Sequence, residues 1–185
     1  MLETAKLAMK KKIFSKSLKM FSELYQQQPY SMEALEGISK SYFGLRKFDK
    51  AIDVCNQALS INGNAAWPHV VKSYILFVQK NFSACKEEAQ IAFNISSQDW
   101  EAIFWWGSIL CHQGNLDEGV SLLEKAVLLE PDELSIYRNL STAYYKQKNH
   151  EKYYWSLEEM NRIKPNVFLS LLIYFGRKIK LNNWH

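Results

Sequence analysis

Glycine and proline are scarce in this chain, seven and four among 185 residues. An all-β protein of that size draws heavily on both for its turns. A sandwich or barrel is therefore excluded, and unbroken stretches such as SMEALEGISKSYFGLRKFDKAIDVCNQALSI read as helices. Cysteine is also sparse. Cys55, Cys85 and Cys111 are odd in number and share no CxxC spacing, which argues against a disulfide framework or a zinc site and suits a reducing compartment. No run approaches the ~18 consecutive apolar residues of a membrane span. The opening MLETAKLAMKKKIF lacks the apolar core of a signal peptide. A cytoplasmic chain is expected.

Catalytic chemistry is missing in the same way. His69, His112, His150 and His185 are far apart in sequence, and no HExxH occurs. Cys111 and His112 are adjacent, so on a helix their side chains point about 100° apart and form no nucleophile–base dyad. No glycine-rich phosphate loop is present. The expectation is no enzyme, no cofactor and no metal.

The net charge of +4 conceals an asymmetry. Residues 1–31 carry +4, residues 162–185 carry +5, and the middle is −5. Basic ends of this kind serve anionic partners or simply solvate helix faces. Basic and aromatic residues are not interleaved on one face, so nucleic acid is not an expected partner.

What the chain has in abundance is aromatic side chains, 14%, and a period of 34. Phe14, Phe48, Phe82, Leu116, His150 and Trp184 form one column. Two further columns are mostly small: Ala5, Ser39, Ser73, Gly107, Ser141 and Ser17, Ala51, Cys85, Gly119, Tyr153. A fourth, Pro29, Gly63, Ser97, Pro131, Pro165, consists of turn formers. The pattern predicts repeated helical hairpins. The small columns mark where the two helices of a hairpin cross, because only short side chains let backbones approach. The last column ends each second helix. One hairpin cannot bury its apolar face alone, so the hairpins must stack.

The chain here resembles the tetratricopeptide repeat family. Residues 100–133 carry Trp106-Gly107, the stretch GNLDEGVSLLEKAVLLEP, Ala126 and Pro131 at the family's landmark positions. Residues 134–167 carry Tyr137, Leu140, Tyr144 and Pro165, and residues 32–65 carry Ile38, Tyr42, Ala51 and Ala58. Residues 1–31, a clipped unit, keep Phe14, Phe21 and Pro29, and residues 66–99 complete five units. The resemblance implies an all-α, right-handed α-solenoid of stacked antiparallel hairpins forming a single domain. Residues 168–185 then form a capping helix or open a sixth unit.

The resemblance also implies a non-catalytic scaffold whose first helices line a concave groove for a partner's peptide or helix. Its groove positions fall on Trp67, Val70, Tyr74, Phe77, Phe104, Trp105, Ser108, His112, Arg138, Asn139 and Tyr145. In this assignment Trp106 is core and Trp105 is surface. A competing reading makes Trp67–Phe77 a packing stripe at helical spacing. The Lys, Asn and Arg set with which co-chaperones of the family clamp a C-terminal carboxylate is not matched. An alternative function is self-association into a homo-oligomer, or peripheral contact with a membrane, through Phe168, Leu171, Leu172 and Phe175 and the bases after them. A regulatory segment of a longer enzyme is a third reading.

Overall fold

The computed structural model describes residues 1–165, and every regular element among them is an α-helix. The docking positions expected at Phe168, Leu171, Leu172 and Phe175 lie outside the described residues. Ten helices follow in order: α1 (Leu2–Lys10), α2 (Phe14–Gln27), α3 (Met32–Gly44), α4 (Phe48–Ile61), α5 (Ala66–Val78), α6 (Phe82–Ile95), α7 (Trp100–Gln113), α8 (Leu116–Leu129), α9 (Leu134–Lys146) and α10 (His150–Ile163). Each even-numbered helix ends two residues before the turn-forming column. No helix among the described residues is long and apolar enough to cross a membrane.

Local chemistry sets the helix ends. The side chains of Ser31, Asn81 and Asn149 each accept the backbone N–H three residues on, inside the following helix. Asp99 Oδ1 accepts from Glu101 N at 2.8 Å and Ala102 N at 3.2 Å. Such caps satisfy donors that have no partner inside the helix.

The hairpin turns share one construction. Lys12, Arg46, Lys80, Gly114 and Lys148, each 34 residues from the next, all have positive φ, between 59° and 92°. The following N–H reaches back to a carbonyl one turn inside the first helix, as in Lys47 N to Tyr42 O and Asn81 N to Leu76 O, both 2.9 Å. This is the left-handed helix stop that glycine adopts without strain. In four of the five turns a cationic residue occupies it instead, at a cost of about 1 kcal/mol each.

The small columns meet inside the hairpins. Ser39 Oγ donates to Ala51 O at 3.0 Å, and Cys85 Sγ donates to Ser73 O at 3.2 Å. At Gly107 an added Cβ would stand 3.0 Å from Gly119 O, and at Gly119 it would stand 2.5 Å from Cys111 Sγ. The helices therefore touch backbone to backbone where the sequence keeps side chains short.

The chain divides into two compact units, Met1–Trp106 and the part from Gly107 onward. In the first, Ala5, Phe21 and Ile38 form one buried cluster, and Ala51, Cys55, Val71 and Ile75 form a second. Tyr42 packs against both. In the second unit Leu123, Ile136, Tyr137, Leu140 and Met160 are fully buried. The Tyr144 hydroxyl donates to Glu124 Oε1 at 2.7 Å.

Candidate functional site

In the first unit the odd-numbered helices lie side by side: α1 packs on α3 and α3 on α5. Aromatic rings continue the row diagonally into α7. The Phe43 ring meets Tyr74 at 5.2 Å, Tyr74 meets Trp105 at 4.0 Å, and Phe77 and Phe104 meet Trp105 at 5.6 and 5.3 Å. All four contacts are edge-on, the arrangement that ring quadrupoles favour.

This packing corrects part of the expected groove. Trp105 is 7% exposed, and Val70, Phe104 and Ser108 are likewise buried. None is a surface side chain. A first helix inside a stack meets its own second helix on one side and first helices on others, so its apolar arc is wider than one stripe. Helix α7 shows the extreme, with every residue from Ala102 to Cys111 buried, and an all-round apolar helix belongs inside. Trp105 and Trp106 can therefore point apart and both be core. In α5 two residues of the expected packing stripe, Val70 and Val71, are buried, together with Ile75 outside it. Trp67 and Tyr74 are half-buried, and Phe77 lies at the exposed end of the row.

Beside the aromatic row lies a charged band. Lys40 Nζ donates to Glu101 Oε2 and Oε1 at 2.7 and 2.9 Å and pairs with Glu36 Oε1 at 2.7 Å. Lys6 pairs with Glu33 at 2.6 Å. The Lys40–Glu101 pair therefore ties α3 to α7, two repeats on. Burial alone would lower the Lys40 pKa, but Glu101 and then Glu36 reverse this and hold it above the usual lysine range. For Glu101 burial dominates and raises its carboxyl, with Lys40 opposing. Lys6, Met9, Phe21, Glu33, Glu36, Gly37 and Lys40 line a cleft of about 290 Å³. The indole N–H groups of Trp67 and Trp105 are buried and have no acceptor among the described residues.

In the second unit the expected residues divide differently. Arg138, Tyr145 and His112 are exposed, whereas Asn139 is half-buried and donates to Ser135 O at 3.0 Å. Cys55, Cys85 and Cys111 are buried free thiols, and burial pushes each up to about 11. Among the described residues no group of three or more His, Cys, Asp or Glu side chains is placed to hold a metal ion. The Lys40–Glu101 pair was not read from the sequence. Both residues fall on first helices, but they are 61 residues apart and skip a whole repeat.

Comparison with known proteins agrees with the repeat. A family model for the tetratricopeptide repeat matches residues 33–64. The BBSome complex member BBS4 of Xenopus tropicalis is 30% identical over 118 residues, covering 63% of this chain and 22% of that protein. Its Bos taurus counterpart is 23% identical over 157 residues, 84% of this chain and 30% of that protein. The chain thus spans less than a third of the length of either relative. Among solved structures, a thermophilic TPR protein of Thermus thermophilus superposes with a TM-score of 0.75 at 15% identity, covering 96% of both chains. YrrB, a TPR protein with an unusual peptide-binding site, superposes at 0.58 with 20% identity, over 94% of this chain and 89% of its own. Five hairpins in a 34-residue register, small residues facing each other inside three of them, and these likenesses lead to one conclusion. Residues 33–64 match the tetratricopeptide repeat, and the chain has the all-α helical-repeat solenoid fold of tetratricopeptide-repeat proteins.

Proposed function

We propose that the chain is a non-catalytic protein-interaction scaffold that receives a peptide or helix of a partner along the first-helix face of its N-terminal unit. The observation that carries this reading is the aromatic diagonal Phe43–Tyr74–Trp105, with Phe77 at its exposed end, together with the cleft of the same unit lined by the paired Lys6, Glu33, Glu36 and Lys40. Apolar anchors next to a charged rim are the usual composition of a protein interface. Trp105 braces the rings from beneath, and Tyr74 and Phe77 are the side chains that would touch the partner. A fitting segment places an apolar side chain on Phe77 and polar groups along the paired Lys6, Glu33, Glu36 and Lys40. In the second unit, Arg138 and Tyr145 are the exposed residues suited to partner contact.

The likenesses support this reading. BBS4 is a member of a multiprotein complex, YrrB has a peptide-binding site, and tetratricopeptide-repeat proteins are in general non-catalytic scaffolds. Three buried thiols also suit a reducing location such as the cytoplasm.

The test is selection of a displayed random-peptide library on the full chain, with the Phe77→Ser variant as counter-target. Circular dichroism establishes that both are folded. Enriched peptides are expected to bind the variant about tenfold more weakly, the loss of one hot-spot anchor. Peptides that bind both proteins alike overturn the reading.

A further inference from the structure

Charge in the N-terminal unit is sorted by edge. The three hairpin turns hold Lys11, Lys12, Arg46, Lys47 and Lys80 and no acid. The loops at the opposite edge, residues 28–31, 62–65 and 96–99, hold no base and one acid, Asp99. All five turn bases are exposed, and none forms an ion pair among the described residues. Lys10, Lys16 and Lys50 lie within a helical turn of them, opposed there by Asp49.

Backbone conformation sharpens the point. Lys12, Arg46 and Lys80 are the left-handed residues of their turns, at φ of 59°, 59° and 61°. Gly114 occupies the same position in another turn and shows what conformation alone prefers there. Three bases thus stand where they strain the fold, and all three face one edge.

We infer that this hairpin-turn edge is a docking surface for an anionic phospholipid bilayer. Two apolar side chains lie among the bases: Ile13, next to Lys12, is 48% exposed, and Val78, two residues before Lys80, is 43% exposed. A bilayer interface uses both features, since basic residues attract anionic headgroups and short apolar side chains enter the boundary below them. Stable attachment generally needs two such signals. A phosphodiester backbone would use the charge and have no use for Ile13 and Val78. Packed helices are 8–10 Å apart, so three adjacent turns present their charges along a row that a flat surface can meet at once. Phe77, one residue before Val78, stands where this edge adjoins the first-helix face assigned to protein partners.

The experiment is co-sedimentation of the full chain with phosphatidylcholine vesicles, with and without about 30% phosphatidylserine as the anionic lipid, at low and high salt. The wild type is expected to sediment with the anionic vesicles and to be released by salt. The key variant is K12G/R46G/K80G, because glycine relieves the strained positions as it removes the charge. It is expected to bind about tenfold or more weakly with a thermal midpoint unchanged or raised. I13S/V78S is expected to bind more weakly as well, with the salt dependence retained. Equal binding to neutral vesicles overturns the inference, as does an unaffected glycine or serine variant. Tighter binding to a DNA duplex or to polyglutamate than to anionic vesicles at the same salt also overturns it, because the edge would then serve another polyanion.

Discussion

Replacing Lys40 by methionine keeps the length of the side chain and deletes its charge. Glu101 and Glu36 then face each other without a counter-ion. Their side chains are 18% and 32% exposed, and that of Lys40 is 26% exposed. Breaking a fully buried pair by removing one partner costs about 3–5 kcal/mol, mostly the penalty of the charge left behind. Solvent reaches this cluster, so the expected loss is about 2–3 kcal/mol. Neutralising Glu101 in the same molecule, as K40M/E101Q, should bring the loss below about 1 kcal/mol, a favourable coupling of about 1–2 kcal/mol.

The pH dependence has a defined sign. Burial raises the Glu101 carboxyl above its ordinary 4.5, and loss of Lys40 raises it further. A carboxyl raised by folding favours the folded state where it is protonated and opposes it where it is charged. The K40M deficit should therefore be largest near neutral pH and shrink as the pH falls toward 4.5. In the wild type the raised Lys40 works at the other end. Its contribution is complete below the ordinary lysine value of 10.5 and is lost as the pH rises beyond it. Urea titrations followed by circular dichroism at neutral and acid pH measure all of this. A K40M deficit that does not change with pH would refute the reasoning, because the cost would then be one of packing. A deficit below about 0.5 kcal/mol at neutral pH would show that the cluster is effectively at the surface.

Four further outcomes follow from the same packing. Trp105→Ala should destabilise the protein by about 3–5 kcal/mol, as a large-to-small core change does, and a thermal midpoint within a degree or two of wild type would return Trp105 to the surface. Gly119→Ala places a methyl group 2.5 Å from Cys111 Sγ and 2.8 Å from Gly107 O; it should cost about 1–3 kcal/mol by overpacking, read as a shift in the urea midpoint. Lys148→Gly, at φ 59°, should stabilise by up to about 1 kcal/mol, and a loss of stability would mean that the lysine side chain contributes to the fold. The thiols of Cys55, Cys85 and Cys111, buried and raised to about 11, should react with Ellman's reagent at about pH 8 only after unfolding; one thiol titrating at once in the native protein would contradict the packing at that position.

What the sequence discloses and what it hides divide by sequence separation. The contacts inside a hairpin join Ser39 to Ala51, Ser73 to Cys85 and Gly107 to Gly119, each 12 residues apart. Both partners belong to one repeat, so the period of 34 prints them as two small columns, and the fold class follows. Contacts between first helices obey a different rule. Phe43, Tyr74 and Trp105 succeed one another at 31 residues, three short of the period. Lys6 meets Glu33 across 27 residues and Lys40 meets Glu101 across 61, each seven short of one or two periods. Neighbouring first helices cross at an angle, so a side chain meets its neighbour one or two turns off the matching position. Columns drawn at 34 compare residues that are equivalent but do not touch. That is why the groove positions implied by the family resemblance put Trp105, Phe104, Val70 and Ser108 at a surface although they are buried. A diagonal drawn at 31 would have joined the two aromatic neighbours of Tyr74 and exposed the row as packed. The Lys40–Glu101 pair needs two such steps together. A reading of candidate grooves in repeat proteins should therefore test the offset diagonals before any column is counted as exposed.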